Sequence, residues 1–183
     1  LALIAFALGT NFPKRQLNQK TSFLYSATKK LNTKLSELKK NILIIPGASD
    51  DSKRYPAAKL AEFTQIYDAA FFVIWGSEEE KILAGEIKEI APNVNICSKL
   101  NLDSLIYLIS KVDLVIGPDS GPTHIAWALN VPSITLFGSS PGYRNTFATS
   151  MHRVIESNSK VNPLKIDKND YSIATISIQE IVS

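Results

Sequence analysis

The sequence holds one cysteine, one methionine and two histidines in 183 residues. A single cysteine, Cys97, excludes an internal disulfide and fits a reducing compartment. Its setting, Val94-Asn-Ile-Cys97, reads as a buried strand, so a structural thiol is expected rather than a nucleophile. Two histidines and one cysteine leave no zinc-binding set. Neither a G-x-G-x-x-G run nor a P-loop is present, which argues against dinucleotide dehydrogenases and P-loop kinases. The opening apolar stretch, Leu1 to Leu8, is too short to span a bilayer and lacks a basic region before it, so it reads as neither a membrane span nor a secretory signal. Net charge is only +3. That surplus does not point to nucleic acid, although it is compatible with anionic phosphates or a membrane surface.

What is present suffices for one domain with a core: 45% of residues are hydrophobic, and the length allows an appended segment. Residues 1–8 read as a helix ended by Gly9 and Asn11. The chain starts on Leu1 rather than methionine, and we expect it to be the back portion of a longer protein. From Phe12 to Lys40, Lys, Asn, Ser and Thr dominate. Lys29, Lys30, Lys34, Lys39 and Lys40 are expected to be a solvated surface, with Phe23, Leu24 and Tyr25 as packed anchors of a connector. Residues 1–40 are thus a residual helix and connector, and residues 41–183 the domain proper.

Within 41–183, short apolar runs alternate with helical patterns. Strands are expected at 41–45, 71–74, 93–97, 114–116, 133–137 and 153–155. Helices are expected at 56–67, 78–90, from Asn101 through Ser110, from about Ser120, and at 177–182. This alternation predicts an α/β fold, a Rossmann-like parallel sheet with helices on both faces. Ligands in such sheets bind beyond the carboxyl ends of the strands. One rim would then carry Ser49, Lys53, Glu78, Asp119, Ser120 and Arg144.

The stretch Asp113 to Leu129 organises the rest. Leu114, Val115 and Ile116 form a buried strand. Asp119 and Ser120 are N-cap types, Gly121 lets a ligand approach the backbone, and Pro122 suits a helix start. The first helical turn has free N–H groups and partial positive charge, so it attracts phosphate. His124 lies on that turn. A nucleotide diphosphate or nucleotide sugar is the expected guest. Trp75 and Trp127 are read as core rather than ligand platforms.

Three spaced signatures then carry a resemblance: Ser52-Lys-Arg-Tyr-Pro56, Trp75-Gly-Ser-Glu78 and Asp119-Ser-Gly-Pro-Thr-His124. In order and spacing, over about residues 41–150, they resemble the carboxyl-terminal half of bacterial lipopolysaccharide heptosyltransferases. The pattern is most similar to enzymes that transfer L-glycero-D-manno-heptose from ADP-heptose to Kdo of the inner core, in Gram-negative cell-envelope synthesis. Ser120 stands where the family has Thr, which keeps the hydroxyl. The resemblance implies the GT-B architecture, two Rossmann-like domains of which this is the second. It implies that Lys53 stabilises the departing diphosphate and that Glu78 accepts from ribose hydroxyls. Leu100 would lie against adenine, and Asp119 would face the heptose or cap the helix. Ser120, Gly121, Pro122 and His124 would line the phosphates, with Ser49 beside them. Arg144 is either an anionic-acceptor contact or plain surface. The acceptor site on Kdo-lipid A and the general base would belong to the other domain, leaving this chain by itself inactive. No cofactor and no metal are expected. The location implied is cytoplasmic, peripheral to the inner membrane face. Two alternatives stay open: another GT-B nucleotide-sugar transferase or epimerase, and a nucleotide-sugar binding module without chemistry.

Overall fold

The computed structural model describes residues 21–28 and 30–183, together with Ala7 and Gly9. The helix expected over residues 1–8 otherwise lies outside the described residues. Six parallel strands form one sheet: β1 (Asn41–Ile44), β2 (Ala70–Val73), β3 (Asn95–Ile96), β4 (Leu114–Pro118), β5 (Ser133–Phe137) and β6 (His152–Glu156). Their order is β3-β2-β1-β4-β5-β6. Chain order therefore reverses between β1 and β4, the switch point where the crevice of a doubly wound sheet opens.

Helices α1 (Ala57–Phe63), α2 (Glu78–Ile90), α3 (Leu102–Ile109), α4 (Gly121–Leu129), α5 (Gly142–Asn145) and α6 (Ile178–Val182) complete the fold. Strand alternation sends side chains to opposite faces. Ile42, Ile44, Phe71 and Val73 pack with Leu60 and Phe63 of α1, Ile87 of α2 and Ile178 of α6. Leu43, Ile45, Phe72, Ile74 and Val115 pack on the other face with Leu108 and Ile109 of α3 and Ala126 of α4. Both faces are covered, which is why the strands read as continuous apolar runs. Each fully buried Leu, Ile or Phe contributes about 1.5–3 kcal/mol relative to exposure.

Several boundaries differ from the sequence expectation. The helix expected to run to Tyr67 stops at Phe63, where Thr64 N–H and Oγ1 both donate to Ala61 O. The chain must then turn so that Ala70 N–H can donate to Lys40 O at 2.8 Å and enter the sheet. The strand expected at 93–97 shrinks to Asn95 and Ile96, both exposed because β3 is an edge. Cys97 just beyond it is buried, and burial pushes its thiol up. The 138–145 loop contains the single turn of α5. The connector is anchored differently than expected. Tyr25 is 88% exposed, whereas Leu31 and Leu35 pack on the second core. Ala27 and Thr28 N–H donate to the Asp103 carboxylate at 2.9 and 2.8 Å. Phe23 meets Trp127 edge-on at 6.4 Å.

Residues beyond β6 return to the first helix. Lys59 Nζ donates to the carbonyls of Ala174 and Ile176, and Tyr55 Oη donates to Ile176 O at 2.8 Å.

Candidate functional site

The loops after β1 and β4 meet at the switch point. A short 3₁₀ turn, Asp51–Lys53, points Lys53 across the rim. Its Nζ lies 3.0 Å from Asp119 Oδ2, with the two side chains only 14% and 6% exposed. Asp119 follows β4 immediately, and its N–H donates to Leu136 O. The same Oδ2 accepts from Ser140 Oγ at 3.1 Å and Asn145 Nδ2 at 2.7 Å. His124 Nε2 stands 3.0 Å from Oδ1. Four side chains from three segments thus converge on one carboxylate. Burial would raise the Asp119 pKa, but the bonds from His124, Lys53 and Asn145 outweigh it and hold the group well below the usual carboxylate range.

α4 begins beside this network. Ser120 is the N-cap in extended conformation. Thr123 Oγ1 folds back, accepting from Ser120 N–H at 3.2 Å and lying 2.7 and 3.0 Å from the carbonyls of Ser120 and Pro118. Gly121 is exposed at the first position and Pro122 follows at the second. The start of α4 therefore faces solvent next to a partly shielded lysine.

A cavity of about 250 Å³ adjoins α4 on the β2 side. Ile45, Ile74, Trp75, Leu100, Leu105 and Pro122 line it together with Gly47, Gly76 and Glu80. Trp75 is fixed by its Nε1–H, which donates to Cys97 O at 2.8 Å. Lys81 and Lys99 lie 5.0 and 5.6 Å from its ring centre. A second hollow, about 300 Å³, lies across the Asp119 network between His124, Trp127, Tyr143, Arg144 and Phe147.

Of the residues singled out in the sequence, Lys53, Asp119, Ser120, Gly121, Pro122 and His124 come together at one place, and Leu100 lines the adjoining cavity. Ser49 is exposed on the same loop as Lys53. Glu78 stands apart: its side chain is 77% exposed and pairs with Lys81 at 3.5 Å. The acidic side chain at the cavity is Glu80. As third residue of α2 it turns back over the preceding turn, accepting from Gly76 N–H at 2.6 Å and Ser77 N–H at 3.3 Å, while its own N–H donates to Ser77 Oγ. That reciprocal pair is a capping box. Ser77-x-x-Glu80 was its sequence signal. Arg144 donates to Asn145 Oδ1 at 3.1 Å and to Pro163 O, on the rim of the second hollow. Trp75 lines a cavity instead of lying in the core. The sequence did not show that Ser140 and Asn145 would meet Asp119, because only the folded sheet brings β5's loop there.

A model of glycosyltransferase family 9 (heptosyltransferase) matches residues 1–169. The chain belongs to glycosyltransferase family 9. It is 39% identical over its whole length to lipopolysaccharide heptosyltransferase 1 of Campylobacter coli and spans 58% of that protein. It is 40% identical to lipooligosaccharide heptosyltransferase 2 of Haemophilus influenzae, where the match covers 54% of this chain and 31% of the relative. The structure of E. coli heptosyltransferase WaaC with ADP superposes with a TM-score of 0.69 at 15% identity, covering 99% of this chain and 52% of that one. E. coli ADP-heptose lps heptosyltransferase II gives a TM-score of 0.64 at 25% identity, covering 81% of this chain and 46% of that one. The family 9 chain thus spans about half the length of these relatives, with the parallel α/β fold they contain. Among the described residues no helix is long and apolar enough to cross a membrane.

Proposed function

We propose that this chain is the donor-binding half of an inverting heptosyltransferase, taking ADP-heptose for transfer of L-glycero-D-manno-heptose to Kdo of the lipopolysaccharide inner core. One observation carries the reading. Lys53 and the start of α4 converge beside a partly open, mainly apolar cavity lined by one carboxylate, which suits a pyrophosphate continuous with a nucleoside.

In this reading the phosphates lie across the start of α4. Gly121 N–H and His124 donate to them, with the Ser120 and Ser49 hydroxyls nearby. Lys53 exchanges part of its bond to Asp119 for a phosphate oxygen and offsets the charge that grows on departing ADP. The base lies against Trp75, Leu100 and Pro122. Glu80 takes the ribose role that the sequence alone suggested for Glu78. Asp119 acts first on its neighbours, holding Lys53, His124 and Asn145 in place, and lies close enough to the phosphate site to meet the sugar. The site for the acceptor, Kdo-lipid A, and the general base belong to the other half of the longer relatives. The chain alone therefore binds donor without turnover. A lipid-linked acceptor places the work at the inner face of the cytoplasmic membrane, by peripheral contact.

Calorimetry with ADP, UDP and GDP tests this. ADP is expected to bind best, and a turnover assay is expected to need the other half. Equal binding of the three nucleotides overturns the donor assignment. Tight ADP binding with no transfer even when the other half is supplied leaves a binding module instead.

A further inference from the structure

Gly47, in the loop after β1, is a glycine for reasons of space. Among the described residues a left-handed glycine φ occurs at Gly9 only, so the backbone at 47 does not demand the residue. A Cβ at residue 47 would collide with the carboxylate and Cγ of Glu80. Gly47 lies in the loop after β1 and Glu80 in the first turn of α2, which follows the adjacent strand β2, and both line the cavity with Trp75. Glu80 is fixed there by one oxygen. Oε2 accepts from the N–H groups of Gly76 and Ser77. Oε1 lies over Gly47, and no hydrogen bond from the described residues reaches it. One carboxylate oxygen thus serves the protein and the other is left beside the cavity with its acceptor capacity unused.

We propose that Gly47 is a positioning residue for the recognition of a ribonucleoside: its missing side chain is what lets Glu80 extend across the β1–β2 rim and hold Oε1 where a ribose diol can donate to it. The inference rests on the reading that the cavity takes the nucleoside of the donor. The collision that a Cβ creates is with the flexible end of a side chain rather than with backbone. Alanine at 47 therefore leaves the fold standing and displaces the carboxylate. Selectivity for ribose over 2′-deoxyribose falls as a result, while the phosphate site at α4 keeps its affinity.

The test uses the 183-residue chain with Gly47→Ala, Glu80→Ala and the double variant, titrated with ADP, 2′-deoxy-ADP and inorganic pyrophosphate. Gly47→Ala is expected to weaken ADP about tenfold, as for loss of a hydrogen bond to a charged group. It is expected to narrow the gap between ADP and 2′-deoxy-ADP and to leave pyrophosphate unchanged. In the Glu80→Ala background the same substitution meets no carboxylate, so the double variant should bind ADP as Glu80→Ala does. Wild-type ADP affinity in Gly47→Ala, an equal loss for pyrophosphate, or additive losses in the double variant each overturn the positioning role. Should Gly47→Ala fail to fold, recovery of folding in the double variant supports the collision with Glu80, and failure there too overturns it. If instead Glu80→Ala binds ADP normally, the nucleoside reading of the cavity fails, a result separate from the fate of Gly47.

Discussion

Lys53 Nζ stands 3.0 Å from Asp119 Oδ2 across 66 residues of sequence, at the point where the sheet's strand order reverses. The pair brings a cation to the start of α4 and balances it with a carboxylate that three other side chains also hold.

Replacing Lys53 by alanine removes the cation but leaves Asp119 bonded to His124, Ser140 and Asn145. ADP affinity is expected to fall by about 1–3 kcal/mol. Calorimetry at two salt concentrations checks it: the variant's binding should respond less to salt than the wild type's, since the lost contact is ionic.

Replacing Asp119 by asparagine acts differently, because it strands a mostly shielded lysine. Loss of one partner of a buried ion pair costs about 3–5 kcal/mol, an upper bound for a pair still touched by solvent. A drop in melting temperature at pH 7 larger than that of Lys53→Ala is the expected result.

The acid side follows from the depressed Asp119 pKa. A carboxylate lowered on folding stabilises the fold fully above its unfolded value, about 4, and loses that contribution as pH falls through its folded value. The stability gap between wild type and Asp119→Asn should therefore stay level from pH 7 to about 5 and shrink below about 4. Urea melts across that range check it, and a gap that widens on acidification contradicts it.

Gly138 offers a purely structural test. A Cβ there would come within 2.6 Å of Ile173 Cβ and 2.7 Å of its backbone N, and Ile173 is 1% exposed. Unlike Gly47, this position faces backbone, so Gly138→Ala should cost about 1–3 kcal/mol through overpacking. Its melting temperature should fall, with ADP affinity at temperatures where it is folded nearly unchanged.

Trp75 supplies a signal. With two tryptophans in the chain, Trp127→Phe leaves Trp75 alone at the cavity wall. ADP is expected to change its emission, and the Glu80→Ala variant should need more ADP to do so.

Much of this was legible beforehand because local rules and tertiary demands agreed. The runs Asn41–Ile44 and Ser133–Phe137 are largely apolar and covered on both faces, as a doubly covered sheet requires. The start of α4 announces itself through Ser120, Gly121 and Pro122. Less was legible where geometry decides between neighbours. Glu78, Glu79 and Glu80 are chemically alike in sequence. Only the turn of α2 directs the third inward and the first to solvent. Likewise nothing local pairs Asn145 with Asp119, which lies 26 residues away. Tyr25 looked like an anchor by type, yet Leu31 and Leu35 found the core.

The return of residues 172–182 to α1 bears on the order of synthesis. Lys59 and Tyr55 bond to carbonyls at 174 and 176, and Arg153 on β6 bonds to the carbonyls of Glu180 and Ile181. A nascent chain can lay down all six strands before that stretch leaves the ribosome. Until it does, Tyr55 and Lys59, beside and on the helix that follows Lys53, lack those carbonyl partners, so these bonds close only after every strand of the sheet has been made.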